Sequence, residues 1–341
     1  MRANDSPTKE QWQELYQAAI DFKQAEPWTW LYDDDVFCLE NPKDKTIGYC
    51  SVMGKRGMHF ALGVYLGNAG FENFYKLLTE SEAMPPYQVL HYHNCLMCSF
   101  EDRDLLTNVD RNQIKALGRT FRGRNAWPLF RRYEPGYAPW YINRDECVFL
   151  TQALRQSLIT AINIRENLYR MDDAKGKTIL RYSQENNGQL EWYPREFKLL
   201  VPKYIYKPLI FKDDMVIHKI KKVGSMGDVV FQLDSCYMPT PIRKNKDERP
   251  YYPKAFLLVD KKTGLVIDYG MYPSIQDEAT VVLNKLINMF LEKGTPREIQ
   301  VRSDFMVSLL TDFCEKTGIN LKKVRKLVAI NKVLKEMGNY F

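Results

Sequence analysis

The sequence predicts an α+β protein of two domains, and three observations carry that prediction. Short runs rich in Val, Ile, Tyr and Phe alternate with longer segments of helical period. The chain has 341 residues, 45% of them apolar and 27% charged, which is long enough for two cores at about 150 residues per domain. A polar junction at residues 170–194, with Asn187-Gly188 in it, separates two differently ordered halves. The boundary is placed near residue 195, to within about ten residues, giving domains 1–194 and 195–341.

The composition excludes a disordered or fibrous chain. No apolar run approaches the roughly 18 residues of a bilayer span, so no membrane partner is expected. Met1 to Glu10 is polar and lacks the apolar core of a secretion signal. Seven scattered cysteines, an odd number, point to reduced thiols and a cytoplasmic setting. The net charge of +7 is unevenly spread. Residues 1–194 hold 23 Lys and Arg against 25 Asp and Glu, and residues 195–341 hold 26 against 17.

In the first half, Trp12, Leu15, Ala18, Ala19 and Phe22 predict a helix over 9–24. Val36–Leu39, Ile47–Met53 and Phe60–Leu66 read as an antiparallel meander, broken at Asn41-Pro42-Lys43-Asp44 and Gly54-Lys55-Arg56-Gly57. A helix over 70–79 comes next, then a strand over 95–100 after Pro85-Pro86. A long helix is expected over 143–166, on Val148, Phe149, Ala153, Leu154 and Ile162. Ile179–Ser183 and Gln189–Tyr193 flank Asn187-Gly188 as a two-residue hairpin.

In the second half, strands are expected at Met215–Lys221, Asp228–Tyr237, Lys254–Asp260 and Leu265–Met271. A helix over 274–293 then begins at Ser274 as N-cap. After it come a strand over 298–302, a helix from Ser303 to Thr317 stopped by Gly318, a short strand at Leu321–Val324 and a last helix over 328–337. The order is β-β-β-α-β-α-β-α.

That order resembles the ribonuclease H-like fold. Phe231-Gln232-Leu233-Asp234 is similar to the first strand of integrases and transposases of that fold, where an aspartate sits mid-strand. Residues 255–266, AFLLVDKKTGLV, resemble their second and third strands. Residues 295–302, TPREIQVR, resemble the strand that carries their second aspartate. Phe313 to Asn320, with its Lys316-Thr317-Gly318-Ile319 turn, resembles the helix and turn after that strand. The resemblance implies a site of acidic ligands for two divalent metal ions, magnesium or manganese, which require hard oxygen donors. Asp234 matches the first acidic position. Arg302 stands at the second, and a guanidinium repels a cation. Glu336 aligns loosely with the third, and Asp304 lies two residues past the second. The resemblance therefore implies a degenerate, catalytically silent member of the fold.

The first half resembles an uncharacterised bacterial family of proteins with domains of unknown function. The resemblance rests on Gly48–Gly54 (GYCSVMG), Ala61–Gly67, Ser99–Arg103, Phe121–Pro128 (FRGRNAWP) and Pro135–Trp140 (PGYAPW). It implies no ligand, activity or catalytic residue.

Other constellations are weighed on their chemistry. His91, His93, Cys95 and Cys98 are the residue types of a zinc site. Four ligands within eight residues are tight, and on a strand Cys98 faces away from the others, so buried thiols are favoured and no metal site is assigned. Residues 117–141 interleave Arg119, Arg122, Arg124, Arg131 and Arg132 with Phe121, Trp127, Phe130, Tyr133, Tyr137, Trp140 and Tyr141. Arginine pairs with phosphate and aromatics stack on unpaired bases. Pro128, Pro135 and Pro139 point instead to a long ordered loop packed over the sheet, and that reading is favoured. Lys322, Lys323, Arg325 and Lys326, with Lys219, Lys221, Lys222 and Arg302, offer a phosphate-binding surface or a solvated basic face. Gly224-Ser225-Met226-Gly227 reads as a hairpin turn. Asp33-Asp34-Asp35 reads as an exposed turn.

The leading expectation is a non-catalytic binding protein, for nucleic acid, through Arg119, Arg122, Arg124, Trp127, Arg131, Arg132, Lys322, Lys323, Arg325 and Lys326. The first alternative is a metal-dependent nuclease using Asp234 with Asp304 or Glu336. The second is a scaffold whose aromatic loop meets a protein partner. No cofactor is expected outside the nuclease alternative, which needs magnesium or manganese.

Overall fold

The computed structural model describes residues 5–81, 84, 86–172, 175–200, 207–243, 245, 248–273 and 278–338. The chain is α+β and divides into two units. The first comprises Met1–Ser81, Tyr92–Pro135 and Pro139–Pro202; the second comprises Glu82–His91, Gly136–Ala138 and Lys203–Phe341. The hairpin predicted near the junction is longer than its apolar runs, so its sheet carries the first unit past residue 195.

The first unit is built on a seven-stranded sheet in the order β5-β4-β3-β2-β1-β6-β7. Its strands are β1 (Phe37–Glu40), β2 (Ile47–Met53), β3 (Phe60–Leu66), β4 (Cys95–Glu101), β5 (Trp127–Tyr133), β6 (Lys177–Asn186) and β7 (Gln189–Lys198). All neighbours are antiparallel except β1 and β6, which run parallel. The turn between β6 and β7 is tight because Asn187 and Gly188 both accept positive φ, 50° and 77°. Two helices pack on one face: α1 (Lys9–Ala25), capped by Thr8 and Gln11, and α5 (Arg144–Arg165), capped by Asn143 and Glu146. They bury Leu15, Phe22, Phe149, Leu150 and Leu154 against Phe37, Leu39, Val52 and Leu62. On the other face α2 (Gly67–Glu80) stacks Phe71 on Tyr49 and Phe74 on Tyr65, with ring centroids 4.4 and 4.3 Å apart.

Three features of this unit and its border depart from the sequence reading. The stretch 117–141 is not one long loop: residues 127–133 form the edge strand β5, paired with β4 from Cys95↔Tyr133 to Glu101↔Trp127. Pro128 hid the strand, but proline is tolerated at an edge because its missing donor faces no partner. The helix α4 (Asn108–Ala116) has no counterpart in the sequence reading, although Thr107 and Asp110 cap it reciprocally. The strand on which the zinc argument sets His91 starts only at Cys95, and residues 86–92 form α3 (Pro86–Val89) and a 3-10 turn.

The second unit holds a five-stranded sheet in the order β10-β9-β8-β11-β12. These are β8 (Val230–Tyr237), β9 (Lys254–Asp260), β10 (Val266–Tyr272), β11 (Glu298–Val301) and β12 (Asn320–Lys323). The first three form an antiparallel meander; β11 runs parallel to β8, and β12 parallel to β11. Helices α7 (Glu278–Lys293) and α8 (Asp304–Thr317) follow β10 and β11, and α9 (Val328–Gly338) follows β12. From β8 onward the predicted order β-β-β-α-β-α-β-α is the order observed. Residues 274–277, including the Ser274 cap, lie outside the described residues.

Alternating residues of β8 serve two cores. Phe231 and Leu233 pack with α7, α8 and α6 (Asp214–Val223), on Leu286, Phe290, Leu310 and Phe313. Cys236 lies on the opposite face, under Leu327, Ile330 and Leu334 at and within α9.

The segment read as a strand over 215–221 is the helix α6. Its β-branched residues suit a strand, but Ile217 and Ile220, three apart, are the buried pair, and the Asp213 carboxylate caps the Val216 amide at 3.0 Å. Residues 224–227 therefore join a helix to a strand and are not a hairpin turn. Gly224 and Gly294 approach so closely that a Cβ on Gly294 falls 2.5 Å from the Gly224 carbonyl oxygen, and Gly294 has φ +88°. Only glycine fits there.

Candidate functional site

The register of the second sheet decides where its polar residues meet. Glu298 pairs with Val230 and Gln300 with Gln232 on parallel strands. Two residues further along each strand, Arg302 comes alongside Asp234. These are the positions that the ribonuclease H-like resemblance aligns with the first two acidic residues. Here they form an ion pair, Nη2 of Arg302 donating to Oδ2 of Asp234. The Asp234 side chain is 5% exposed and that of Arg302 17%.

The pair is fixed from the α9 side. Gln232 Oε1 accepts the backbone N–H groups of Ala329 at 2.9 Å and Ile330 at 3.4 Å, two orphan donors of the first turn of α9. Its Nε2 donates to Gln300 Oε1 at 3.2 Å, and Gln300 Nε2 donates to Glu298 at 2.7 Å. With α9 seated, Asn331 Oδ1 accepts from Nη1 of Arg302 at 3.1 Å. Asp234, Arg302 and Asn331 thus close a three-residue network. Burial pushes the Asp234 carboxyl above its ordinary range, and the Arg302 guanidinium works against that push. Burial opposes the charge of Arg302, but the Asp234 carboxylate outweighs it and holds the guanidinium more firmly protonated.

The surroundings are aromatic and charged. The Tyr87 phenol is pushed up to about 12 by burial, against the pull of Arg302. Lys254 pairs with Glu278 at 2.5 Å and stands 5.2 Å over the Tyr237 ring. His91 lies against Tyr237 and Tyr252, at 3.9 and 4.7 Å between ring centroids.

Chemically, the network presents a carboxylate already neutralised by a fixed cation. The guanidinium at hydrogen-bond distance gives that carboxylate a charge-assisted partner. Asp304 stands apart, exposed and paired with Lys323 at 2.5 Å. Glu336 is exposed on α9, and it is Asn331, not Glu336, that reaches Arg302 from this helix. Among the described residues, no three His, Cys, Asp or Glu side chains gather as metal ligands.

The four residue types of the zinc reading also fall apart. His91 belongs to the second unit and His93 to the first, where its Nδ1 meets the Tyr65 hydroxyl at 3.1 Å. Cys95 and Cys98 are buried in β4, and burial pushes the Cys95 thiol up to about 12.

The arginines of 117–141 divide by use. Arg131 donates twice to the Asp110 carboxylate, at 2.9 and 2.6 Å, and lies 4.6 Å over the Tyr141 ring. Arg132 reaches Asn94 at 2.8 Å and Glu146 at 3.4 Å. Arg119 donates to Gln17 at 3.2 Å. Trp127 packs on the core and on Phe121. Only Arg122 and Arg124 are exposed without a side-chain partner among the described residues. The packing reading therefore describes most of this stretch. In the second unit Lys219, Lys221, Lys222, Lys322, Arg325 and Lys326 are exposed, and no carboxylate pairs with them among the described residues. Asp33 and Asp34 are exposed, and the Asp35 carboxylate accepts from the Tyr32 amide.

Sequence reasoning missed Asn331 and Gln232. Both carried a signal. Asn331 sits four residues after Leu327 and three before Leu334, which places an amide on the apolar stripe of α9. Gln232 is a polar residue at a buried position of a central strand, 2% exposed.

His91 supports a pH prediction. Burial holds its imidazole down to about 4, against 6.5 for the free side chain. The unfolded chain therefore binds a proton that the folded one refuses between those values. This contribution to stability is complete above about pH 6.5 and is lost as the pH falls toward 4. Thermal unfolding at pH 7 and pH 4.5 checks it: His91→Phe, which keeps the ring on Tyr237, is expected to narrow the gap between the two midpoints.

Two family models match the chain. Residues 12–181 match a domain of unknown function, DUF7309. Residues 216–338 match a second domain of unknown function, DUF6930. Together they cover most of the sequence, and the chain belongs with the uncharacterised domain-of-unknown-function proteins. No curated protein and no solved structure matches it. Among the described residues, no helix is long and apolar enough to cross a membrane.

Proposed function

We propose that the chain is a non-catalytic nucleic-acid-binding protein whose second unit is a ribonuclease H-like domain with its metal position closed. The sheet order β10-β9-β8-β11-β12, with a three-stranded meander followed by two parallel strands, supports the fold reading. The observation that carries the rest is the buried Asp234–Arg302–Asn331 network. Two-metal hydrolysis needs acidic oxygens around both ions, and here a guanidinium neutralises the one acid that matches.

The charge points to the partner. The excess of Lys and Arg lies in residues 195–341, and Lys219, Lys221, Lys222, Lys322, Arg325 and Lys326 are exposed. Phosphate backbones recruit such cations by releasing counterions, so binding weakens steeply with salt. The expected result is binding of single- or double-stranded RNA or DNA in a fluorescence titration, with log K falling linearly as log salt rises. Lys322→Glu/Arg325→Glu/Lys326→Glu is expected to weaken binding and to reduce the slope by about 0.7–0.9 for each phosphate no longer neutralised. Absence of binding at low salt, or binding indifferent to salt, contradicts the proposal.

A further inference from the structure

The first unit contains a buried cation whose bonds, among the described residues, all go to neutral groups. Arg181, on β6, is 6% exposed, and among the described residues no carboxylate bonds to it. Its partners are neutral. Nε and Nη2 donate to Gln156 Oε1 on α5 at 3.0 and 2.8 Å, Nη1 to the Tyr169 hydroxyl at 3.0 Å, and Nη2 also to the Trp192 carbonyl at 3.3 Å. An arginine stays protonated, so it cannot escape the cost of burial by neutralising itself. Removing one partner of a buried charge pair is strongly destabilising, and here no charged partner is found among the described residues.

A second, independent observation lies around it. Among the described residues, the hydroxyls of Thr160 and Ser183 are buried and have no hydrogen-bond partner. Ser183 is two residues past Arg181 on the same strand, so both side chains share the face that packs on α5. Thr160 is one helical turn past Gln156, on the same face of α5. Buried polar groups in native proteins are almost always satisfied, and each exception calls for a physical reason. Two orphan hydroxyls on the strand and helix faces that meet at Arg181 make a cluster rich in donors, with no acidic acceptor among the described residues.

We propose that this cluster is a binding site for a phosphoryl group. A phosphate offers the guanidinium a bidentate, charge-assisted pair and leaves oxygens for the hydroxyls. Rotation of the Gln156 amide replaces the acceptor that Arg181 now uses with an N–H donor toward the same anion. Tyr169 and Trp192, the remaining partners of Arg181, are half-buried, so the cluster approaches the surface at the end of α5 and beside the β6–β7 hairpin. The site lies wholly in the first unit and does not depend on the nucleic-acid reading of the second.

The test is thermal unfolding of the full chain against inorganic phosphate, with sodium chloride at matched ionic strength and acetate as comparators. The variant is Thr160→Val/Ser183→Ala, which removes two orphan hydroxyls and leaves Arg181 in place. Wild type is expected to show a saturable rise in midpoint with phosphate and none with chloride. The variant is expected to match or exceed the wild-type midpoint without phosphate, since it loses only unsatisfied groups, and to lose the phosphate response. An equal shift with chloride, a stronger shift with acetate than with phosphate, or a full phosphate response in the variant overturns the proposal. So does a variant that is less stable without phosphate while wild type ignores phosphate, because the hydroxyls then serve the fold alone.

Discussion

Arg302→Ala is expected to cost the second unit about 3–5 kcal/mol, read as a lower urea midpoint at unchanged slope. The mutation leaves the Asp234 carboxylate buried, 5% exposed, with its cation gone. Asn331 on α9 loses its donor as well. Asp234→Ala is expected to fall in the same range, because it strands the guanidinium instead. The double variant Asp234→Asn/Arg302→Met removes both charges and is expected to lose far less than the two single losses combined, since the penalty belongs to the unpaired charge. Near-additive losses contradict a coupled buried pair.

Arg131→Ala is expected to have an effect of the same size in the first unit, about 3–5 kcal/mol. The side chains of Arg131 and Asp110 are 11% and 10% exposed and meet in a two-pronged contact. Asp110 also caps α4 through the Thr107 amide and hydroxyl, at 2.9 and 2.7 Å. Burial works against the Asp110 charge, but Arg131 and Thr107 outweigh it and hold the carboxyl below its ordinary 3.8. A carboxyl depressed in this way stabilises the fold above the unfolded value, and the contribution is lost as the pH falls through the folded one. Arg131→Ala should therefore flatten the loss of stability below pH 4 as well as lower stability at pH 7. By contrast, Arg122→Ala and Arg124→Ala, at exposed positions, are expected to stay within about 0.5 kcal/mol of wild type. A reversed ranking means that the strand and its arginines are not held by Asp110.

The elements legible in the sequence are those with a strong local period or an unambiguous turn. β2 and β3 are readable to the residue, as is the Asn187-Gly188 turn. Those that are not legible fail for stated physical reasons. Ile217 and Ile220 in α6 are β-branched, and their burial in tertiary packing outweighs strand preference. β5 carries a proline, and its Trp, Arg and Tyr residues are half-buried, so burial alternates only over its first five residues. Asp234 and Arg302 are both visible as residues of interest, and their opposition is visible as chemistry. That they bond each other is not, since it depends on the register of β8 against β11. Asn331 needs α9 docked by Gln232 before its role exists.

The most direct measurement of the central claim is calorimetric titration of the full chain with Mn²⁺, for wild type and Asp234→Asn. If Arg302 fills the metal position, wild type shows no saturable uptake at this site, and the two titrations coincide. Saturable Mn²⁺ binding that Asp234→Asn abolishes contradicts the account, and Mn²⁺-stimulated cleavage of nucleic acid lost in the same variant would contradict it more strongly still.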